Sequence, residues 1–559
     1  MKNSIFKILS GLFLILLLFS VFKNISYPLM WEDEAMSAVG AGVVLEYGYP
    51  KVHGEKNVFY DFLHSDPTIG INEKDDSFAA SSSWGQYYYG TIGYLLADST
   101  DDIYAKTGII RSTYAIIGLL GMLMFVFVAL KLFPDKNTKY IFLCLFILMA
   151  LFSISLTLHI RQVRYYSLAL FLSSVVASLY MYYRFYKPLN VILFIVLEVL
   201  ALWLLFVCFS PVYFILLLSM GLSELLIFVY QYKKANFKQA LYNVYPLIII
   251  AVVSFIAVIP MMIQVKYFEI SAAIAEFFGY NTDMYLKNLS IVFSYFKNQD
   301  FLLLAITLKI ILLFNIKKKY KENPSVCKAS AFLTLLFILS CFILPRIPQV
   351  ISVRYVIYLH PVLFSIIIFD LLILVKGKGK VNSVSKKLSI VVFAVFFLYT
   401  LFNGMHNIKG HIYEMTHQSK GPLDYTIPYI KDNFQNTDTL VIATNYEEYS
   451  YIYYLNSKVI IGYVGNNLEE DMTCIPDIIS YRALWPRFLN LFNNFLQRTA
   501  YTPVSFPVFD SPVNDIPELD NRTYPLLSHR FKTQTTQNPK EMTYLYINNK
   551  LLLNKENSE

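Results

Sequence analysis

Long apolar runs recur at short intervals along the first 404 residues of the chain. Each run supplies about 17 to 25 residues, which is enough for an α-helix to cross the roughly 30 Å hydrocarbon core of a bilayer. The runs lie at 5–22, 107–132, 139–157, 166–184, 188–207, 211–230, 244–263, 300–316, 329–345, 355–375 and 388–404. This pattern predicts a polytopic α-helical membrane protein with about eleven spans, contained in residues 1–404.

The charges between the runs predict how the chain is threaded, because cytoplasmic loops carry an excess of Lys and Arg. If the first helix starts in the cytoplasm, the loops that fall inside all contain basic residues: 131–139, 184–187, 231–239, 317–328 and 376–387. The opposite, extracytoplasmic face then receives 23–106, 158–165, 208–210, 264–299, 346–354 and everything after 404. No small-residue cleavage site follows the first run, so it is interpreted as a retained helix rather than a signal peptide. We therefore expect a multi-pass protein of the plasma (inner) membrane.

The pattern changes after residue 404 to that of a soluble domain. A helical pattern at 423–434 precedes a short apolar strand at 439–444, and helical residues 449–455 precede a second strand at 458–463. Alternating helices and strands are typical of α/β domains. Residues 405–559 are therefore predicted to form an extracytoplasmic α/β domain.

Two polar segments are interpreted from their composition. Residues 264–299 mix charges with Phe, Tyr and Leu, which suggests an amphipathic helix lying in the membrane interface. Residues 446–449, which read Tyr-Glu-Glu-Tyr, are interpreted as a solvated helix face rather than as a sugar-binding surface.

The bulk composition agrees with a membrane protein and excludes several other classes. Hydrophobic residues make up 56% of the 559 residues and charged residues only 15%, whereas soluble domains carry about 25% charged residues. The net charge of +8 lies mostly in short loops between apolar runs, so it does not indicate nucleic-acid binding. The five cysteines show neither a disulfide framework nor metal-ligand spacing. No phosphate-binding loop or dinucleotide motif occurs.

Candidate chemistry begins directly after the first apolar run. Three consecutive carboxylates, Glu32, Asp33 and Glu34, follow Trp31 at the predicted membrane boundary. Carboxylates at a helix start often only complement the helix dipole. A carboxylate beside apolar surface can also act as a general base.

Two further extracytoplasmic loops carry cations. Arg161 and Arg164 precede Tyr165 in the loop between the third and fourth spans, and Arg346 and Arg354 flank a loop that contains two prolines. Arginine forks bind phosphate oxygens well, although arginines at an interface can instead reach lipid headgroups. Convergence of these loops with the acidic motif would suit a phosphate-bearing donor beside a base.

Together these motifs resemble the GT-C glycosyltransferases, in particular the protein mannosyltransferases and lipid A aminoarabinose transferases. The resemblance rests on the Asp33-Glu34 pair, the run from Arg161 to Leu168, the Arg354-Tyr355 start of a late helix, and a soluble tail. It implies that Asp33 is the catalytic base and that Glu34 supports it. Arg161, Arg164 and Arg354 would be phosphate ligands. Met36 stands where aminoarabinose transferases carry a basic residue, so lipid A modification is not implied.

The resemblance implies an inverting glycosyltransferase of the hexosyl or pentosyl type. It would move a monosaccharide from a polyprenyl-phosphate donor to a glycan, lipid or protein acceptor, without a metal or another cofactor. Tyr165, Arg346 and the three arginines above are the expected substrate-binding residues.

Two alternatives stay open. One is a flippase or transporter of lipid-linked sugars, for which charges inside the spans would be needed; the candidates are Glu198, Glu224, Lys309 and Asp370. The other is a ligase that attaches a lipid-linked glycan.

Overall fold

The computed structural model describes residues 2–58, 83–233, 236–277, 279–347, 351–376, 380–461, 473–483, 488–510 and 532–556. The chain up to residue 403 is almost entirely helical within these ranges. A mixed sheet with short helices follows.

Fifteen helices lie in the described part of the chain before residue 404. They are α1 Lys2–Phe22, α2 Glu32–Tyr47, α3 Trp84–Ala97, α4 Ile103–Leu132, α5 Lys136–Phe152, α6 Ile154–His159, α7 Tyr165–Met181, α8 Val191–Tyr232, α9 Phe237–Gln264, α10 Tyr267–Phe277, α11 Thr282–Asn298, α12 Leu302–Glu322, α13 Pro324–Ile343, α14 Leu359–Val375 and α15 Lys380–Asn403. A π-helical turn, Tyr182–Tyr186, continues α7, and 3₁₀ turns at Leu344–Arg346 and Val353–Val356 lie between α13 and α14.

Seven of the described helices are long and apolar enough to cross a membrane, or eight if α11 and α12 form one broken span. The seven are α1, α4, α7 with its π turn, α8, α9, α13 and α15. Helices α5 and α14 have 17 residues each, or about 25 Å, which is shorter than a 30 Å hydrocarbon core. The protein is therefore a multi-pass helical one, but the predicted number of eleven spans is not confirmed.

Helix α8 accounts for part of that difference. The sequence predicts two spans, at 188–207 and 211–230, where the structure has one helix of 42 residues that is broken at Phe209 (φ −155°, ψ 85°) and contains Pro211. The ring centroids of Phe206 and Tyr213 are 5.4 Å apart, whereas seven residues of straight helix rise about 10.5 Å. The chain therefore bends at Phe209, close to the predicted loop at 208–210.

The amphipathic helix predicted at 264–299 is divided in two, and its place in the membrane interface stays a prediction. The structure has two helices there, α10 and α11, and Gly279 between them has a φ of +58°, which favours glycine. The end of α11 then meets α12 at an angle of 80°. Tyr295 and Phe296 of α11 are buried, so this helix packs into the bundle.

Close packing of α4 against α7 brings the start of α7, with Arg164, close to α4. A Cβ atom at Gly121 of α4 would lie 2.8 Å from the Cα atom of Phe171 and 2.5 Å from the Leu170 side chain. Glycine is therefore required where these helices touch. The contact sets the start of α7, and hence Arg164, beside the N-terminal half of α4.

Within its described residues, the C-terminal part has five α-helices and a five-stranded sheet, and a short hairpin of the first loop reaches it. The elements are the hairpin β1 His53–Gly54 and β2 Asn57–Val58, then α16 Met405–Thr416, α17 Leu423–Asn433, β3 Val441–Thr444, α18 Glu448–Leu455, β4 Lys458–Ile460, β5 Ile478–Ser480, α19 Leu489–Arg498, β6 Tyr501–Phe509, β7 Met542–Asn548 and α20 Asn549–Glu556. The hairpin is tied to the sheet because Val459 N–H donates to the Asn57 side chain at 2.9 Å.

The sheet has the order β4-β3-β5-β7-β6. Strand β3 runs parallel to β4 and β5, with Ile442 opposite Val459 and Ile478. Strand β7 is antiparallel to β5 and β6. Strands lie at both predicted places, Val441–Thr444 and Lys458–Ile460, while 462–463 lie outside the described residues. The segment therefore contains a small mixed sheet, and its being a separate domain stays a prediction.

Helix α18 packs directly on α2, and this contact contradicts the prediction of a solvated face at 446–449. Tyr446, Glu447, Glu448 and Tyr449 are all buried. Glu447 forms an ion pair with Arg482, which also donates to Asp510 at 3.1 Å. The two glutamates are therefore interior residues, one of them neutralised by an arginine 35 positions away.

Candidate active site

The acidic motif is held in place from two sides before α2 begins. The Tyr454 hydroxyl oxygen of α18 accepts from Met30 N–H at 3.0 Å, and Ser450 donates to the Met30 carbonyl at 2.9 Å. The Trp31 carbonyl accepts from the N–H groups of Glu34 and Ala35 at 3.0 and 2.9 Å. The C-terminal part thus holds Met30, and the first hydrogen bonds of α2 hold Trp31.

The three consecutive carboxylates point to three different places, because successive helical residues are about 100° apart. Glu32 accepts from Tyr449 N–H of α18 at 3.2 Å. Burial, and then the nearby Glu448 carboxylate, raise the pKa of Glu32 well above its ordinary value. Glu32 therefore belongs to the contact between α2 and the C-terminal part.

Glu34 lies in a buried ion pair that the sequence analysis does not predict. Arg111 of α4 donates from Nε to Glu34 Oε1 at 3.0 Å and from Nη2 to Oε2 at 2.5 Å. Val163 N–H donates to the same Oε1 at 3.1 Å. These contacts give Glu34 a structural role within the protein, and the supporting role in catalysis that the resemblance implied stays a prediction.

Asp33 is the carboxylate that meets the cations of the predicted loops. Its Oδ1 lies 3.7 Å from Arg164 Nη2, and its Oδ2 lies 3.2 Å from Arg354 Nη1. The Asp33 side chain keeps 26% of its surface exposed, against 12% and 15% for the two arginines. In the described residues, no hydrogen bond ends on either carboxylate oxygen, so charge alone holds the group.

Arg164 is fixed by three helices. Its Nη1 donates to the Asp33 carbonyl at 3.1 Å and to Ser37 Oγ at 3.3 Å. Gln86 of α3 accepts from Ser37 Oγ and from Tyr165 N–H, at 3.3 and 3.2 Å. The amide of Gln86 thereby joins the starts of α2 and α7, and Arg164 keeps its direction toward Asp33.

Arg354 is surrounded by aromatic rings. Its guanidinium carbon lies 5.2 Å from the ring centroid of Trp31, 5.7 Å from Tyr166 and 5.6 Å from Tyr355. The Tyr166 and Tyr355 rings meet edge to face at 5.8 Å. Such contacts stabilise a guanidinium over a ring face. They hold Arg354 beside Asp33 without using its N–H groups.

Both arginines retain buried N–H groups that could bind a ligand. Arg164 Nε and Arg354 Nε and Nη1 have no hydrogen-bond partner among the residues that the structure describes. Arg354 Nη1 lies within ion-pair distance of Asp33 but without hydrogen-bond geometry. Because an unpaired buried N–H costs about 1–3 kcal/mol, these groups are available for an anion with several oxygen atoms.

Arg161, in contrast, is already neutralised. It forms an ion pair with Glu414 of α16, which also accepts from His411 Nδ1 at 2.9 Å. Burial would raise the pKa of Glu414, but Arg161 and His411 together lower it to about 2. Arg161 therefore connects its loop to α16 and does not join Arg164 at Asp33.

Arg346 and Tyr165 have other surroundings. Arg346 is exposed, with its guanidinium 5.9 Å from the Tyr285 ring of α11, and none of the contacts among the described residues joins it to Asp33. Tyr165 is buried with its ring 5.0 Å from Phe209 and 5.7 Å from the Arg164 guanidinium. Of the predicted binding residues, Arg164, Arg354 and Tyr165 thus come together near Asp33, while Arg161 and Arg346 do not.

Three site residues were missed from the sequence. Arg111 had the clearest signal, since a charge inside an apolar run needs a partner. Ser37 and Gln86 gave none, because small and amide residues are common in such segments. In the described residues, no group of three His, Cys, Asp or Glu side chains could hold a metal ion.

No protein-family model matches the chain, and no curated protein matches it. Solved structures are similar to it over most of its length. The apo structure of ArnT from Cupriavidus metallidurans has a TM-score of 0.48 at 9% identity and covers 97% of this chain and 98% of its own. The same protein bound to undecaprenyl phosphate gives 0.47 at 9% identity, with 96% and 97% covered.

The oligosaccharyltransferase of Archaeoglobus fulgidus in the apo form is also similar, with a TM-score of 0.47 at 10% identity. The match covers 89% of this chain and 69% of the archaeal one.

Proposed function

We propose that the protein is a membrane glycosyltransferase that moves a monosaccharide from a polyprenyl-phosphate donor to an extracytoplasmic acceptor. The observation that carries this proposal is the placement of Asp33 between Arg164 and Arg354, at 3.7 and 3.2 Å. Two cations and one carboxylate leave one net positive charge. A polyprenyl-phosphate sugar is a phosphodiester with one negative charge, so donor and site are complementary.

The proposed reaction uses these three residues in distinct roles. Arg164 and Arg354 bind the donor phosphate, because a guanidinium presents several N–H groups to phosphate oxygens. Asp33 takes the proton of the acceptor hydroxyl, whose oxygen attacks the anomeric carbon of the sugar. The bond from that carbon to the phosphate oxygen breaks, polyprenyl phosphate leaves with the electron pair, and the anomeric configuration inverts.

Exposed apolar surface supports a donor that arrives through the bilayer. Helix α1 and residues Lys386–Asn403 of α15 leave most of their apolar residues uncovered, with only 22% and 11% of these spans buried. Apolar surface of this kind is unfavourable in water and favourable in lipid. By the charge pattern of the loops, Asp33 lies on the extracytoplasmic side, in the plasma (inner) membrane, and residues 405–559 form a domain on the same side.

The transporter alternative receives less support from the charges inside the helices. Glu224 pairs with Arg184 at 2.5 Å, and Asp370 pairs with Lys309 at 2.8 Å. These charges are thus paired with opposite charges on other parts of the helical bundle. Glu198 has no hydrogen-bond partner in the described part of the chain, but a single buried carboxyl does not make an ion pathway.

The test is the variant Asp33→Asn, which keeps the size of the side chain and removes its ability to accept a proton. We expect full membrane insertion and loss of at least about a hundredfold in transfer, the usual range for a general base. Mass analysis of cell-surface glycans from a deletion strain carrying wild type or variant would show it. The exposed Asp432 provides the matched control, Asp432→Asn.

Full transfer by Asp33→Asn would overturn the assignment of the base. The mass added to the acceptor also distinguishes the proposed function from the ligase alternative. A monosaccharide transferase adds one sugar residue, whereas a glycan ligase adds an oligosaccharide. Movement of the lipid-linked sugar across vesicles by the wild type, without consumption of that sugar, would favour the transporter.

A further inference from the structure

We propose that Trp31 binds the lipid-linked donor directly, through its indole N–H. This inference rests on the proposed function, since it assigns a further substrate contact to the same site. Only 4% of the Trp31 surface is exposed, and its Nε1 has no hydrogen-bond partner among the described residues. Buried Trp N–H groups usually have a partner, so this one indicates a site that a ligand completes.

The position of Trp31 is determined by contacts that leave the N–H free. Met30 is held on one side by Tyr454 and Ser450 of α18. On the other side, the Trp31 carbonyl accepts the first hydrogen bonds of α2. The ring itself faces the Arg354 guanidinium at 5.2 Å. Backbone and ring face are therefore both engaged, whereas the polar edge of the indole has no hydrogen-bond partner in the part of the chain that the structure describes.

The surroundings of that edge indicate what it binds. Trp31 lies two residues before Asp33 and against Arg354, whose Nε and Nη1 are also buried without a hydrogen-bond partner among the described residues. An indole N–H can only donate a hydrogen bond, so its partner must be an acceptor. The neighbouring unpaired N–H groups face the same requirement. An oxygen-rich ligand meets it, and the donor offers two sources: phosphate oxygens and sugar hydroxyl oxygens.

Trp31 therefore acts as a specificity residue that contacts the substrate, while Asp33 removes the proton. Its ring face keeps Arg354 in position, and its N–H donates a hydrogen bond to one oxygen of the donor substrate. Removing the N–H alone should weaken donor binding and leave the chemical step intact. A structural role of the ring would instead lower expression or stability when the ring changes.

The experiment replaces Trp31 by 3-benzothienylalanine, which keeps the bicyclic ring and lacks the N–H, and in parallel by Phe. Trp203→Phe is the matched control, because Trp203 is 37% exposed on α8. Binding is measured for two probes in detergent, undecaprenyl phosphate and undecaprenyl-phosphate glucose. A hydrogen bond to a phosphate oxygen predicts about tenfold weaker binding of both probes to the Trp31 variants.

A hydrogen bond to a sugar hydroxyl predicts weaker binding of the glucose-bearing probe alone, by about threefold to tenfold. Either result supports the inference. Equal binding of both probes to wild type and to the benzothienyl variant would overturn it and leave the roles of Asp33, Arg164 and Arg354 standing. If wild type itself binds neither probe, the proposed function fails, and that outcome is distinct from failure of the Trp31 contact.

Discussion

The ion pair between Glu34 and Arg111 allows a test of whether Glu34 takes part in proton transfer or stabilises the fold. If Glu34 takes part in proton transfer, Glu34→Gln should resemble Asp33→Asn, with a stable protein and no activity. If the contacts described above define its role, Glu34→Gln should mainly lower the free energy of unfolding. The substitution keeps the length of the side chain and removes its charge.

The magnitude follows from the three hydrogen bonds that the carboxylate accepts, two from Arg111 and one from Val163 N–H. A glutamine amide would turn its NH₂ group toward an Arg111 N–H, so one contact becomes donor against donor. Breaking a buried ion pair on one side costs about 3–5 kcal/mol. Arg111 Nη1 keeps its bonds to the carbonyls of Ile25 and Pro28, at 3.1 and 2.7 Å, which favours the lower end, about 3 kcal/mol.

The assay is reversible unfolding in mixed detergent and SDS micelles, followed by intrinsic tryptophan fluorescence. Arg111→Met should cost more than Glu34→Gln, about 4–5 kcal/mol, because it leaves a charged carboxylate buried. The double variant Glu34→Leu/Arg111→Met should recover much of the loss, since apolar replacement of a whole buried pair is often tolerated. Comparison with the two single changes gives the coupling energy of the pair.

Two outcomes would refute this reasoning. One is a loss below about 1 kcal/mol for Glu34→Gln, which would place the pair among weak surface contacts. The other is a fully stable Glu34→Gln protein without transfer activity, which would indicate that Glu34 takes part in the reaction. Activity that declines only in proportion to the folded fraction is the expected result.

Two further predictions concern other parts of the site. Arg354→Gln should weaken binding of undecaprenyl phosphate by at least about tenfold, since it removes a charged phosphate ligand, whereas the exposed Arg346→Gln should change it less than about twofold; equal losses would contradict the assignment. Burial raises the pKa of Asp424 from 3.8 to about 6, so the folded state holds a proton between pH 4 and 6 that the unfolded state has released. Stability should therefore fall by about 3 kcal/mol as pH rises through this window and level off above it, and Asp424→Asn should remove that slope in unfolding measured from pH 4 to 7.

Local patterns predicted the parts of the fold that depend on local chemistry. Apolar runs marked the helices, and the short runs at 439–444 and 458–463 marked two neighbouring parallel strands, because buried strands must be apolar on both faces. The span count was harder to predict, since it depends on where a continuous helix bends. Pro211 signalled the break that the structure has at Phe209, whereas no local pattern fixed the 17-residue lengths of α5 and α14.

Ion-pair partners that are distant in sequence determine which of the predicted residues lie at the candidate site. Arg161 and Arg164 are three residues apart in one loop and look equivalent as phosphate ligands. Glu414 lies 253 positions after Arg161 and neutralises it, whereas Arg164 reaches Asp33. Nothing near Arg161 in the sequence announces Glu414, because α16 follows the last apolar run in a segment of ordinary polarity. Glu447 and Glu448 are buried for a similar reason. Arg482, which is distant in sequence, forms the ion pair with Glu447.

The same argument explains why one of three adjacent carboxylates can be reactive. A helix turns each successive side chain by about 100°, so Glu32, Asp33 and Glu34 cannot share one environment. Glu32 is covered by α18 and Glu34 is paired with Arg111, and both are therefore unavailable to a substrate. Asp33 alone keeps exposed surface, and the contacts of its two neighbours hold it rigidly in place. The flanking glutamates thus contribute to the reaction by fixing the direction in which Asp33 points.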